Sequence, residues 1–147
     1  MVVWYFVLAA VIATVGMLFI YRSTMQRVEN IIAEGGEEDE VYKKLIKEQT
    51  PFFIKHAVLE IVPLILVVIG FMGMEAAENV SFEPLTVAVI VWIGTVFMVF
   101  QTNQSVLSRQ SDTRFNSFLT KFMFIEMALI SAFPIIAIVA TLTTVSA

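Results

Sequence analysis

"FFIKHAVLEIVPLILVVIGFMG", residues 52–73, is a mostly apolar stretch that contains one internal carboxylate, Glu60. Its length matches the approximately 20 residues that a helix needs to cross the hydrocarbon core of a membrane. Counting at about 1.5 Å per residue from Phe52, Glu60 lies about 12 Å into such a helix, too deep to reach water. A carboxyl group at this depth is costly, so a functional role is the default hypothesis, and a structural hydrogen bond is the alternative.

Composition places the whole chain in a membrane. The 147 residues are 59% hydrophobic, and their mean hydropathy is +0.86, well above the range of soluble domains. There is no cysteine, which excludes disulfides and thiolate-ligated metals. Apolar runs of spanning length predict an all-α integral membrane protein with four transmembrane helices, at about residues 2–21, 52–73, 84–100 and 122–145.

The distribution of charge predicts the orientation of these helices. All nine Lys and Arg residues lie in or beside the connections 22–51 and 101–121. The connection between residues 73 and 84 contains Glu75, Glu78 and Glu83 but no positive charge. Positively charged loops face the cytoplasm, so both charged loops are expected there, with both termini outside an inner or plasma membrane.

The chain also aligns with itself. "FFIKHAVLEIVPLILVV" (52–68) matches "MFIEMALISAFPIIAIV" (123–139) at an offset of 71, which places Pro63 on Pro134. "VIATVGMLFIYRSTMQRV" (11–28) matches "VIVWIGTVFMVFQTNQSV" (89–106) at an offset of 78, which places Gly16 on Gly94. The sequence therefore predicts two parallel tandem helical hairpins, residues 1–73 and 84–147, of which the first has the long charged loop 22–51.

The repeated segments resemble the second helix of the proteolipid, subunit c, of F-type and V-type rotary ATPases, in which an essential carboxylate is followed three residues later by proline. Glu60 and Pro63 match that motif, whereas the second copy has Ser131 and Pro134. The loop "SRQSD" (108–112) is similar to the polar loop that contacts the central stalk in this family. Two fused hairpins match the V-type form.

This resemblance implies an oligomeric rotor ring that translocates protons on Glu60, with a stator arginine in another subunit and a stalk contact through Arg109 and Gln110. Candidate ion-binding or hydrogen-bonding partners of Glu60 are Thr14, Thr95 and Ser131. Pro63 and Pro134 free a helix carbonyl near the site and loosen the local backbone. Sodium would need several further oxygen ligands at this depth, so the proton is favoured as the transported ion.

The chain departs from the family pattern in three ways: the regular glycine and alanine spacing of the first helix is largely missing, the segment "EEDEVYKKLIKEQ" (37–49) is additional, and only one copy carries the carboxylate. The first two favour an alternative, a diverged proteolipid relative that acts as a non-pumping membrane scaffold or accessory subunit, whereas the retained Glu60 and Pro63 favour the rotor subunit. A small stand-alone channel or transporter is a third hypothesis. Expected partners are membrane lipids, further copies of the chain or other membrane subunits.

Ionisable residues near the predicted cytoplasmic edge form a separate group. Lys55 and Glu126 occupy equivalent positions in the two copies, because 126 − 55 = 71, and they are a possible charge pair. The alternative is that each meets the headgroups or water alone. His56, the single histidine, is interpreted as interfacial rather than as a metal ligand. The sequence shows no catalytic motif, cofactor motif, metal site or nucleic-acid module, so no independent enzymatic site is expected.

Overall fold

A computed structural model describes residues 2–74, 83–109 and 113–145, and it contains four helices and no strand within these ranges. All four helices contain an apolar segment long enough to cross a membrane. The prediction of an all-α chain with four such helices is therefore confirmed. The helices, in chain order, are α1 (Val3–Glu34), α2 (Glu38–Gly73), α3 (Glu83–Leu107) and α4 (Thr113–Val145).

The helices are longer than the apolar runs that predict them. The segment 22–51, expected to be a loop, is helical except for the connection at residues 35–37, and α2 continues through Pro51. In the second half, α3 extends to Leu107 and α4 begins at Thr113, within the expected loop 101–121. At about 1.5 Å per residue, the 36 residues of α2 are about 54 Å long, against a hydrocarbon core of about 30 Å.

A narrow apolar stripe explains these helical extensions. Met25 and Val28 on α1 are 1% exposed, and Val41 and Leu45 on α2 are 4% and 0% exposed, although charged residues surround them in the sequence. Spacings of three and four residues place such side chains on one face of a helix, where they continue the core beyond the apolar spans. A search for long apolar runs does not detect this pattern because charges fill the remaining faces.

The turn between α1 and α2 depends on two glycines. Gly35 and Gly36 have φ angles of 70° and 127°, which side chains rarely allow. The backbone N–H of Gly35 still donates to the carbonyl of Ile32, which closes α1. The first turn of α2 then carries Glu38, Asp39 and Glu40, whose negative charges interact favourably with the amino-terminal end of the helix dipole.

Helix α1 is the central element of the bundle. It packs against α2, α3 and α4, whereas α3 packs closely against α1 and α4. Half of the apolar segment of α1 is buried, compared with 17% for α3. Ala9, Ala10 and Ala13 are fully buried and allow neighbouring helices to approach α1 closely.

Ion pairs between neighbouring helices lie together at one end of the bundle, which we call the charged end. Arg27 of α1 forms an ion pair with Glu48 of α2 at 2.8 Å, and Arg109 of α3 is paired with Glu29 of α1. Arg114 of α4 contacts Glu38 and Asp39 of α2 at 3.2 and 2.9 Å. These pairs join the helices beyond the apolar segments.

Candidate functional site

A cluster of four polar side chains lies in the core near the charged end, and each helix contributes one of them. Tyr21, Asn103 and Glu126 are fully buried, and His56 is 2% exposed. Burial of polar groups in an apolar bundle is costly unless they find partners. We call these four residues the core polar cluster.

His56 and Glu126 form its centre. Nε2 of His56 lies 3.0 Å from Oε2 of Glu126. His56 Nε2 and both carboxyl oxygens of Glu126 have no other hydrogen-bond partner among the described residues. The pair therefore has unused donor and acceptor capacity in a buried position.

The hydrogen bond of the second ring nitrogen, Nδ1, fixes which nitrogen of His56 carries a hydrogen. Nδ1 lies 3.0 Å from the backbone carbonyl of Phe52. A carbonyl oxygen only accepts, so Nδ1 carries a hydrogen in this arrangement. The favourable states of the pair then have one proton between Nε2 and the Glu126 carboxyl, as an imidazolium with a carboxylate or as a neutral ring with a neutral acid. Both states have zero net charge, so the proton can move within the pair without leaving a net charge in the core.

Aromatic rings surround this pair. The ring of Phe52 lies 4.2 Å from that of His56 and 4.4 Å from that of Phe122, measured between centroids. Phe122 also stacks against Tyr21 at 6.1 Å. The rings separate the pair from the charged end and keep its surroundings apolar, which strengthens electrostatic interactions inside the cluster.

Tyr21 connects the pair to α3. Its hydroxyl lies at the limit of hydrogen-bond distance, 3.5 Å, from Oδ1 of Asn103, and it is close enough to Glu126 to interact electrostatically. The amide nitrogen of Asn103 has no hydrogen-bond partner within the described part of the chain. Polar groups thus extend from α2 to α3 across the core.

The structure does not bring the expected pair of Lys55 and Glu126 together. Lys55 is exposed, whereas Glu126 is fully buried and contacts His56. Successive residues of an α-helix differ by about 100° in direction, so only one of two neighbours can face α4. The side chain that contacts Glu126 is therefore that of His56, the neighbour of Lys55 in the sequence.

Glu60 lies one helical turn from His56 on α2 and is half-buried. Its carboxyl group forms no hydrogen bond or ion pair with a described residue, and it interacts electrostatically with His56. Val58 and Ile61 beside it are 63% and 54% exposed, so Glu60 lies at the border between the buried and the exposed apolar face of α2.

The expected hydroxyl partners of Glu60 have other partners. Thr14 donates to the carbonyl of Ala10 at 2.7 Å, and Thr95 donates to the carbonyl of Val91. Ser131 donates to the carbonyl of Met127 at 2.6 Å and accepts from the indole N–H of Trp92 at 2.9 Å. None of these hydroxyls bonds to Glu60.

The two prolines and the stalk-contact residues occupy different parts of the bundle. Pro63 and Pro134 are buried within α2 and α4. Arg109 is exposed at the charged end, where it pairs with Glu29. Gln110 lies outside the described residues.

Sequence reasoning did not assign Tyr21, His56 and Asn103 to a site. One signal was present: His56 precedes Glu60 by four residues, a spacing that places both on one helical face. Asn103 and Tyr21 gave no such signal, because their meeting depends on how α1 and α3 pack. In the part of the chain that the structure describes, no group of three or more His, Cys, Asp and Glu side chains could hold a metal ion.

No family model, curated protein or solved structure matches this chain in sequence or fold comparison.

Proposed function

We propose that the protein is a proteolipid-type membrane subunit that binds and releases protons on Glu60 as part of an oligomeric rotor ring of an ion-translocating rotary ATPase. The observation that carries the proposal is the position of Glu60. It is half-buried in an apolar helix, has no hydrogen bond or ion pair to a described residue, and borders a face on which Val58 and Ile61 are exposed. A carboxyl group that exchanges protons with a second subunit needs this kind of access.

The His56–Glu126 pair supports the same function. It lies one helical turn from Glu60 and holds a proton at zero net charge, so His56 is placed between a half-exposed and a fully buried carboxyl group. The proton is favoured over sodium because Thr14, Thr95 and Ser131 do not turn their hydroxyls towards Glu60.

The arrangement that fits this function is two parallel tandem hairpins with both termini outside and the charged end in the cytoplasm. Two contacts between α1 and α3 support parallel copies, since Tyr21 with Asn103 and Glu29 with Arg109 differ by 82 and 80 residues. His56 and Glu126, which differ by 70 residues, support the same relation between α2 and α4. All nine Lys and Arg residues lie at or beside the charged end, which supports a cytoplasmic location.

Lipids, further copies and other membrane subunits are the proposed partners in the membrane. Ile61, Val62 and Ile65 of α2 are all more than half exposed, and so are Ile90 and Ile93 of α3. These faces are apolar, so lipid chains or neighbouring subunits can cover them. Arg109, at the exposed charged end, is the proposed contact to a stalk subunit, and the stator arginine is proposed to come from another chain.

A non-pumping scaffold or accessory subunit is the second candidate. It is favoured by the extension of α1 and α2 beyond the apolar segments and by the ion pairs that join them to α3 and α4 at the charged end. Such a rigid extension provides a surface for another protein. In this case Glu126 with His56 is a structural pair that fixes α2 against α4.

Carbodiimide labelling and imaging separate the two candidates. Dicyclohexylcarbodiimide modifies protonated carboxyl groups in apolar surroundings, so it should modify Glu60 in the intact protein, as located by mass spectrometry. The Glu60→Gln variant should abolish that adduct, and Glu126, which is fully buried, should remain unmodified. Projection images of the purified assembly should show closed rings. An unmodified Glu60, or monomers and open clusters in the images, would reject the rotor and leave the scaffold.

A further inference from the structure

A polar groove lies between α1 and α3 at the charged end, on the outside of the bundle. Its volume is about 430 Å³, and its floor includes the buried side chains of Met25 and Val106. The polar side chains around it are Arg22, Gln26, Glu29, Gln101, Thr102, Ser105 and Arg109. We call this the α1–α3 groove.

The charges of the groove favour an anion. Arg109 is paired with Glu29, but Arg22 forms no ion pair or hydrogen bond with a described residue. Two guanidinium groups and one carboxylate therefore leave one uncompensated positive charge. A guanidinium group offers several N–H donors in a plane and binds phosphate oxygens in a bidentate manner. The amides of Gln26 and Gln101 add neutral donors.

The level of the groove identifies the kind of anion. Arg22 and Gln101 are the first strongly polar residues after the apolar runs of α1 and α3, so the groove begins where the hydrocarbon ends. Phe19 and Met98, each three residues further into the apolar part, are 72% and 42% exposed. A phospholipid fits both the polar groove and the apolar surface next to it, with its phosphate at the level of Arg22 and its acyl chains along Phe19 and Met98.

We propose that the α1–α3 groove binds the headgroup of an anionic phospholipid between Arg22 and Arg109, with its phosphate at the level of Arg22. Pockets of basic residues between membrane helices are suited to such headgroups, and each cationic side chain near the surface contributes about 1 kcal/mol, equivalent to about fivefold in affinity. Glu29 competes with the lipid for Arg109. The site does not involve Glu60 or the core polar cluster.

Lipid binding to the delipidated, detergent-purified protein tests this proposal. Native mass spectrometry should show that phosphatidylglycerol binds more tightly than phosphatidylcholine. Arg22→Gln and Arg109→Gln should each weaken phosphatidylglycerol binding by about fivefold. Glu29→Gln should strengthen it, because it releases Arg109. Arg114→Gln, which removes an arginine of the same end but outside the groove, is the matched control and should leave binding unchanged.

Three results would overturn the proposal. Equal binding of the two lipids would show that the headgroup charge is not recognised. An equal loss in Arg114→Gln would show general attraction to the charged end rather than binding in the groove. Displacement of phosphatidylglycerol by millimolar inorganic phosphate would identify a free anion as the ligand, whereas resistance to phosphate supports the lipid.

Discussion

His56 of α2 and Glu126 of α4 meet at 3.0 Å in the core, although α2 and α4 are not among the closely packed helix pairs of the bundle. The contact between these helices at this level is made by side chains, namely this pair and the adjacent rings of Phe52 and Phe122. Each of the two buried side chains is therefore the polar partner on which the other depends.

Removal of one member should destabilise the protein more than removal of both. His56→Leu and Glu126→Met should each lower the free energy of unfolding in detergent by about 3–5 kcal/mol, because each leaves a buried polar partner unpaired. The double variant replaces the pair with apolar side chains and should recover most of the loss. Lys55→Gln, next to His56 but exposed, should change stability by less than about 0.5 kcal/mol. Additive losses in the double variant would show that the pair is not coupled.

Close packing of α1 against α2 should make Gly70 intolerant of a side chain. A Cβ atom at Gly70 would lie 2.7 Å from the ring of Phe6, whereas at Gly94 of α3 it would meet nothing within 4 Å. Gly70→Ala should therefore cost about 1–3 kcal/mol by overpacking. Gly94→Ala, the matched control, should be neutral or stabilising by up to about 1 kcal/mol, because alanine favours the helix. Thermal unfolding in detergent compares the two, and equal effects would contradict the packing of α1 against α2.

The hydrogen bond from Trp92 to Ser131 should be visible in fluorescence. The chain has two tryptophans, so Trp4→Phe leaves Trp92 as the single reporter. In that background, Ser131→Ala removes the acceptor of the indole N–H, which should shift the emission to shorter wavelength and lower stability by about 1 kcal/mol. Ser117→Ala, at an exposed position of α4, should do neither. Unchanged emission would show that Trp92 does not donate to Ser131.

The orientation in the membrane should be measurable with single cysteines, since the natural chain has none. Glu37 and Glu83 are exposed at the start of α2 and of α3. Glu37→Cys should react with a membrane-impermeant maleimide only from the cytoplasmic side, and Glu83→Cys only from the outside, because positive loops remain in the cytoplasm. Reaction of both from one side would reject the parallel hairpins.

The sequence was sufficient to predict the helical class of the protein and the four helices within the described residues. Composition and four long apolar runs indicate helices that can cross a membrane, because a backbone polar group exposed to lipid has no partner outside a helix. The ends of the helices could not be predicted in this way. Met25, Val28, Val41 and Leu45 form a narrow stripe whose burial is known only when α1 and α2 pack against each other.

The core polar cluster was decided by tertiary structure. Glu60 stands out in the sequence because it interrupts an apolar run. That His56 rather than Lys55 faces Glu126, and that Tyr21 meets Asn103, depends on the rotation of each helix about its axis. Apolar side chains surround most of each helix in this chain, so hydrophobicity hardly distinguishes one face from another. The rotation of each helix is set instead by side-chain packing between the helices. In this protein the small residues of α1 and the aromatic rings around His56 make those contacts, which exist only in the assembled bundle.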